Sequence, residues 1–93
     1  MTQELPRVQL SVDNPDAAAD LAGAVDAVLA RRDRAPALII DLDGEHLPTA
    51  VVSALIASLR QLREVGGAIA INATTQPLRD ALALYGLDRV FAH

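Results

Sequence analysis

The sequence predicts one α/β domain, a mixed central sheet with helices packed against it, and three observations lead there. The chain has 93 residues, a length at which one core is the economical way to bury apolar surface, so residues 1–93 are read as a single domain. Hydrophobic residues make up 52% but aromatics only 2%, so the core is to be built from Ala, Val, Leu and Ile. Strand-like and helix-like apolar spacings alternate along the chain, with Pro or Gly near each change of period.

Val8, Leu10 and Val12 alternate with polar residues, the pattern of a half-buried strand. Asn14, Pro15 and Asp16 supply turn and helix-start chemistry, since proline fits a first helical turn and acids suit its positive end. Leu21, Ala24, Val25, Val28 and Leu29 then recur at helical spacing, leaving Asp20, Asp26 and Arg32 on the wet side. Arg31, Arg32 and Arg34, the one basic cluster, are placed to complement the carbonyl end of that helix, which Pro36 is expected to close.

Ala37 to Leu42 is a nearly continuous apolar run, typical of a central strand covered on both faces. The loop Asp43 to Pro48 leads to Thr49, read as an N-cap whose hydroxyl bonds an orphan amide of the second helix. That helix buries Val51, Val52, Leu55, Ile56, Leu59 and Leu62, turns Arg60, Arg63 and Glu64 outward, and ends at Gly66 and Gly67. Ala68 to Ile71 is a short buried strand, and the turn from Asn72 to Gln76 presents Pro77 at the start of a third helix. Leu78, Ala81, Leu82 and Tyr85 form its apolar face, Gly86 stops it, and Leu87 to Phe91 pack back or form a short final helix.

Composition narrows the function classes. There is no cysteine, hence no disulfide or thiolate chemistry, and His46 and His93 make no zinc site without carboxylate help. Twelve acids face eight bases, every base is Arg, and aromatic platforms are scarce, which argues against nucleic acid as a partner. The absence of Lys removes Schiff-base and P-loop chemistry. No apolar run approaches the roughly 20 residues that span a bilayer, and no charged-then-apolar segment opens the chain; the expectation is a soluble, cytoplasmic protein without membrane insertion. No cofactor is expected.

The loudest local motif is Leu38-Ile39-Ile40-Asp41-Leu42-Asp43-Gly44, which resembles the first motif of the haloacid-dehalogenase phosphatases. There the first Asp is the nucleophile and the second the acid/base, and two carboxylates at a strand end suit Mg²⁺ and attack on phosphorus. The remaining parts of that machinery are missing: no Lys, no acidic pair at the end of the third strand, and Glu45 where a Thr is usual after Gly44. An enzyme is therefore not expected. Asp41, Asp43, Glu45 and His46 as a metal cluster would lack further ligands, so the segment reads as a solvated loop.

From Ala37 onward the sequence resembles a STAS domain, the fold of the anti-sigma factor antagonists. The resemblance is carried by the strand Leu38 to Gly44, the helix end Leu59-Arg-Gln-Leu-Arg-Glu-Val-Gly66-Gly67, the strand Ala68-Ile-Ala-Ile71-Asn72 and, most specifically, the tail Leu84-Tyr-Gly86-Leu87-Asp88-Arg89-Val90-Phe91. The first 36 residues match in layout only, with Val12-Asp13-Asn14-Pro15-Asp16 replacing the usual Gly-Glu-hydrophobic-Asp turn. The resemblance implies a module that docks on a GHKL-type kinase acting as an anti-sigma factor, switched by phosphorylation of a hydroxyl at the start of the second helix. Ungapped alignment from Asp41 puts Thr49 on the motif's Asp, Ala50 and Val51 on its hydroxyl positions and Val52 on its Gly; a one-residue shift puts Thr49 on the hydroxyl. Thr49 and Ser53 are the phosphoacceptor candidates, and Asp43, His46, Leu47, Pro48, Thr49 and Val51 the partner-binding candidates. The same fold also serves as an accessory subunit on the ATPase of lipid-transport ABC systems, or as a constitutive adaptor, which gives a second class of partner.

Overall fold

The computed structural model describes residues 6–31 and 35–91. β1 (Arg7–Ser11), α1 (Ala17–Ala30), β2 (Ala37–Asp43), α2 (Thr49–Glu64), β3 (Ala68–Ala73) and α3 (Gln76–Leu84) follow in order, then a 3₁₀ turn over Leu87–Val90. The α/β class with helices packed on a central sheet holds. The sheet is in the order β1-β2-β3, and both of its pairings are parallel, so the mixed sheet narrows to a parallel one among the described residues. β2 is central, as its apolar run implies.

Both crossovers step the same way across the sheet. Right-handed connections then place α1 and α2 on one face, where they pack on each other and on the strands. Leu10, Leu38, Ile40, Leu42, Ile69, Ile71 and Ala73 point to that face and join Leu21, Val25, Leu55, Leu62, Leu78 and Leu82 in a single core. Register explains the layering, since Leu38 pairs with Ile69, Ile40 with Ile71 and Leu42 with Ala73, three rungs that present one apolar face.

The expectation that β2 is covered on both faces is corrected. Ala37, Ile39 and Asp41 are half-buried and Asp43 is exposed, flanked by exposed Arg7, Gln9, Ser11, Ala68 and Asn72. The apolar run is continuous in sequence, but alternate residues leave for opposite faces, and no described helix lies on the second one.

Helix ends also differ from the sequence reading in places. α1 stops at Ala30 with Arg31 as its C-cap, well before Pro36, which leads into β2 instead. Arg32 and Arg34 lie outside the described residues, as does His93. Pro15 precedes α1 instead of occupying its first turn, and Asn14 Oδ1 accepts the Asp16 amide to shape the entry. Gly66, at φ +76°, closes α2 in a Schellman motif: the Gly67 amide donates to Leu62 O at 2.7 Å and the Gly66 amide to Arg63 O at 3.0 Å. Tyr85, expected on the apolar face of α3, is 53% exposed because α3 already ends at Leu84. After the final turn, Phe91 bridges to Ile71 in parallel on the outer side of β3. Among the described residues no helix is long and apolar enough to cross a membrane.

Candidate functional site

Parallel strands bring all their C-terminal ends to one edge of the sheet, and the helices that follow begin there, so the loop between β2 and α2 sits at that edge. Its base is stitched to both neighbours. The Val12 amide donates to Asp43 O at 2.9 Å from the β1 side, and the Thr74 amide donates to Leu42 O at 3.1 Å from the β3 side. Thr74 Oγ1 donates to Asp43 Oδ1 at 2.8 Å, and Thr75 Oγ1 to the Gly44 carbonyl at 2.7 Å. Gly44 takes φ +120°, a conformation that L side chains rarely adopt, and an added Cβ there would press on Val12.

Beyond this base, His46, Pro48 and Thr49 are exposed, while Leu47 is half-buried and packs against the core. Two of the sequence-derived assignments change. Thr49 is not the N-cap: Pro48 holds that position in an extended conformation, its carbonyl accepting the Val51 and Val52 amides at 3.1 Å each, and Thr49 is the first helical residue. Val51 is only 3% exposed, so it anchors the helix from below and offers nothing to a partner. Ser53 is exposed one turn after Thr49, on the same side of α2. Neither hydroxyl has a hydrogen-bond partner among the described residues. The exposed surface of the loop and helix start is thus His46, Pro48, Thr49 and Ser53, with Leu47 at its edge; Asp43 is exposed too, but on the open side of the sheet, where Thr74 holds it.

Asp41 does not join that surface. It stands on the uncovered sheet face, where Arg7 Nε meets its Oδ2 at 3.0 Å and Asn72 Nδ2 donates to its Oδ1 at 3.0 Å. With both oxygens engaged from the two flanking strands, this carboxylate is a cross-strand clamp. Gln9, Ser11, Asp41, Asp43 and Thr74 line an open trough of about 440 Å³ at the C-terminal end of this face. Among the described residues, no group of three or more His, Cys, Asp or Glu stands ready to hold a metal ion.

Sequence reasoning missed the residues that hold the loop. Thr75 is the N-cap of α3, its Oγ1 accepting from the Leu78 amide at 3.4 Å while donating to Gly44 O. A threonine just ahead of Gln76-Pro77 was a readable cap signal, because proline favours the first turn of a helix. Its second bond, to a loop 31 residues away in sequence, had no local trace. Comparison of the chain with protein-family models, curated proteins and solved structures returned no match.

Proposed function

We propose that the chain is a protein-binding regulatory module of the anti-sigma factor antagonist type, docking through the loop of residues 44–48 and the first turns of α2. The observation that carries this reading is the pair Thr49 and Ser53: two exposed hydroxyls without hydrogen-bond partners, one helical turn apart, beside a loop fixed at its base by Thr74 and Thr75. A rigid scaffold presenting an exposed loop is where recognition sites gather. A phosphate on Thr49 would sit at the positive end of α2, tolerated by the fold, while its added charge would disrupt an interface shaped for a neutral hydroxyl. The partner class is the one the sequence resemblance implies, a GHKL-type anti-sigma kinase.

The test is affinity purification of the tagged chain from its native cells, with mass spectrometry of co-purifying proteins and of the phosphorylation of Thr49 and Ser53. Recovery of a GHKL-type kinase, reduced roughly tenfold or more by Thr49→Glu and retained by Thr49→Ala, is expected. Recovery of transporter subunits with both hydroxyls bare would replace the switch by a constitutive adaptor. Kinase recovery indifferent to Thr49→Glu would remove α2 from the interface.

A further inference from the structure

The two edges of the sheet are finished differently. β3 is bridged on its outer side by Phe91, whereas no described residue pairs with the outer side of β1. The ladder shows which of its backbone groups are used: Pro6 O accepts the Ile39 amide at 2.9 Å and the Val12 amide donates to Asp43 O at 2.9 Å, so even-numbered residues of β1 bond to β2. The N–H and C=O of Arg7 and Gln9 and the N–H of Ser11 therefore point away from the sheet. No described residue bonds to them, and only Ser11 O is occupied, by the Asn14 amide at 3.0 Å. Natural edges are often blunted by proline, a bulge or a charged side chain; β1 from Arg7 to Ser11 has no proline and keeps an unbroken register with β2, and its one charged side chain, Arg7, is drawn onto Asp41 of β2.

We infer that β1 pairs antiparallel with β1 of a second copy about a two-fold axis at Gln9, doubling the three-stranded sheet. The register follows from the free groups. Gln9 would exchange two N–H···O bonds with Gln9 of the second copy, and each Ser11 N–H would donate to Arg7 O of the other. In this register the second copy's Arg7 comes opposite Ser11, and each Arg7 guanidinium stays on Asp41 of its own β2, away from the seam.

An independent observation lies on α1. Gly23 is in mid-helix and exposed, and a Cβ added there would meet nothing within 4 Å, so nothing within the described chain requires a glycine at this helix-weakening position. Ala24 and Ala27 follow it and line, with Pro6 and Arg7, the groove between α1 and the start of β1. This small-residue flank faces the β1 side, where the two-fold axis would bring the two α1 helices close together. The axis stands perpendicular to the sheet, so the two α2 surfaces point to opposite ends of the assembly and both stay open.

Sedimentation velocity of the full chain over a range of concentrations reads the assembly, with a species of twice the 9.8 kDa chain mass expected. Gln9→Pro removes an outward N–H and leaves the β1–β2 ladder intact, so the dimer should be lost with the far-ultraviolet circular dichroism unchanged. Gly23→Leu has room in the monomer and crowds only the two-fold contact, so it should also abolish the dimer, and it serves if Gln9→Pro fails to fold. Because the chain has no cysteine, single-cysteine variants report register directly. Gln9→Cys should cross-link to itself on mild oxidation, its Cα atoms falling about 5.5 Å apart, whereas the exposed control Glu45→Cys should not. A chain monomeric at every concentration, or a dimer that survives Gly23→Leu while Gln9→Cys cross-links no faster than Glu45→Cys, would overturn the inference.

Discussion

The two faces of the sheet are built from the same three strands and come out as different materials. On the helix side, β2 contributes Leu38, Ile40 and Leu42, each 2% exposed or less, and β3 adds Ile69, Ile71 and Ala73. On the other side the same strands contribute Ala37, Ile39, Asp41 and Asp43, then Ala68, Ala70 and Asn72, and none of these is buried. Leu and Ile dominate the helix side, while Asp, Asn and Ala make up most of the other, with Ile39 the exception. Continuous hydrophobicity in β2 thus does not mean coverage on both sides. Ile39 and Ile40 are the same residue type on opposite faces, so side-chain size alone does not tell the faces apart; Asp41 and Asp43, which share the face of Ile39, do.

Neighbouring isoleucines of β2 offer the sharpest way to break this comparison. Ile40→Ala should destabilise the fold by about 2–5 kcal/mol, since Ile40 is 0% exposed and the cavity cannot collapse, while Ile39→Ala should cost about 1 kcal/mol or less. Urea denaturation of the two variants checks it; equal losses would mean that the second face is packed after all.

A smaller contrast separates the two threonines at helix starts. Thr75→Ala removes an N-cap and the bond to Gly44 O, for an expected loss of about 1–2 kcal/mol in the same assay. Thr49→Ala removes no hydrogen bond and should stay within about 0.5 kcal/mol of the parent. A loss of partner binding in the Thr49 variants is then readable as recognition and not as unfolding.

The weakest effect belongs to the clamp on the open face. Asp41→Asn keeps the shape but removes the charge that Arg7 meets, and because the Arg7 side chain is 55% exposed the loss should be about 1 kcal/mol or less. Added salt should weaken the parent and leave the variant nearly unchanged, which thermal denaturation at low and high ionic strength will show.

Much of the site was legible in location and little of it in detail. An acidic strand end running into a loop and a hydroxyl-bearing helix start identified residues 43–49 as the exposed segment, and His46, Pro48 and Thr49 are indeed at the surface. The capping role went to the wrong threonine. Both Thr49 and Thr75 precede an apolar helical stripe, but Pro48 already supplies the extended residue that an N-cap requires, which moves Thr49 into the helix. Val51 fits two readings, as part of the buried stripe of α2 and as a partner contact; its helical spacing to Leu55 and Leu62 makes the first legible, and it is the first that holds.

By itself the sequence determined the number, type and order of the elements, the central place of β2, the glycine stops at Gly66 and Gly86 and most of the core. These depend on period, on turn chemistry and on the sign of φ, all of which act within a few residues. Tertiary structure alone decided that no described helix covers one sheet face, that Thr74 and Thr75 brace the loop after β2, that Asp41 is held between Arg7 and Asn72, and that Phe91 closes one edge while no described residue pairs with the outer side of β1. The physical reason is that each of these joins groups far apart in sequence, 31 residues in the case of Thr75 and Gly44. Their meeting follows from strand register and crossover hand, quantities that exist only once the layers have packed.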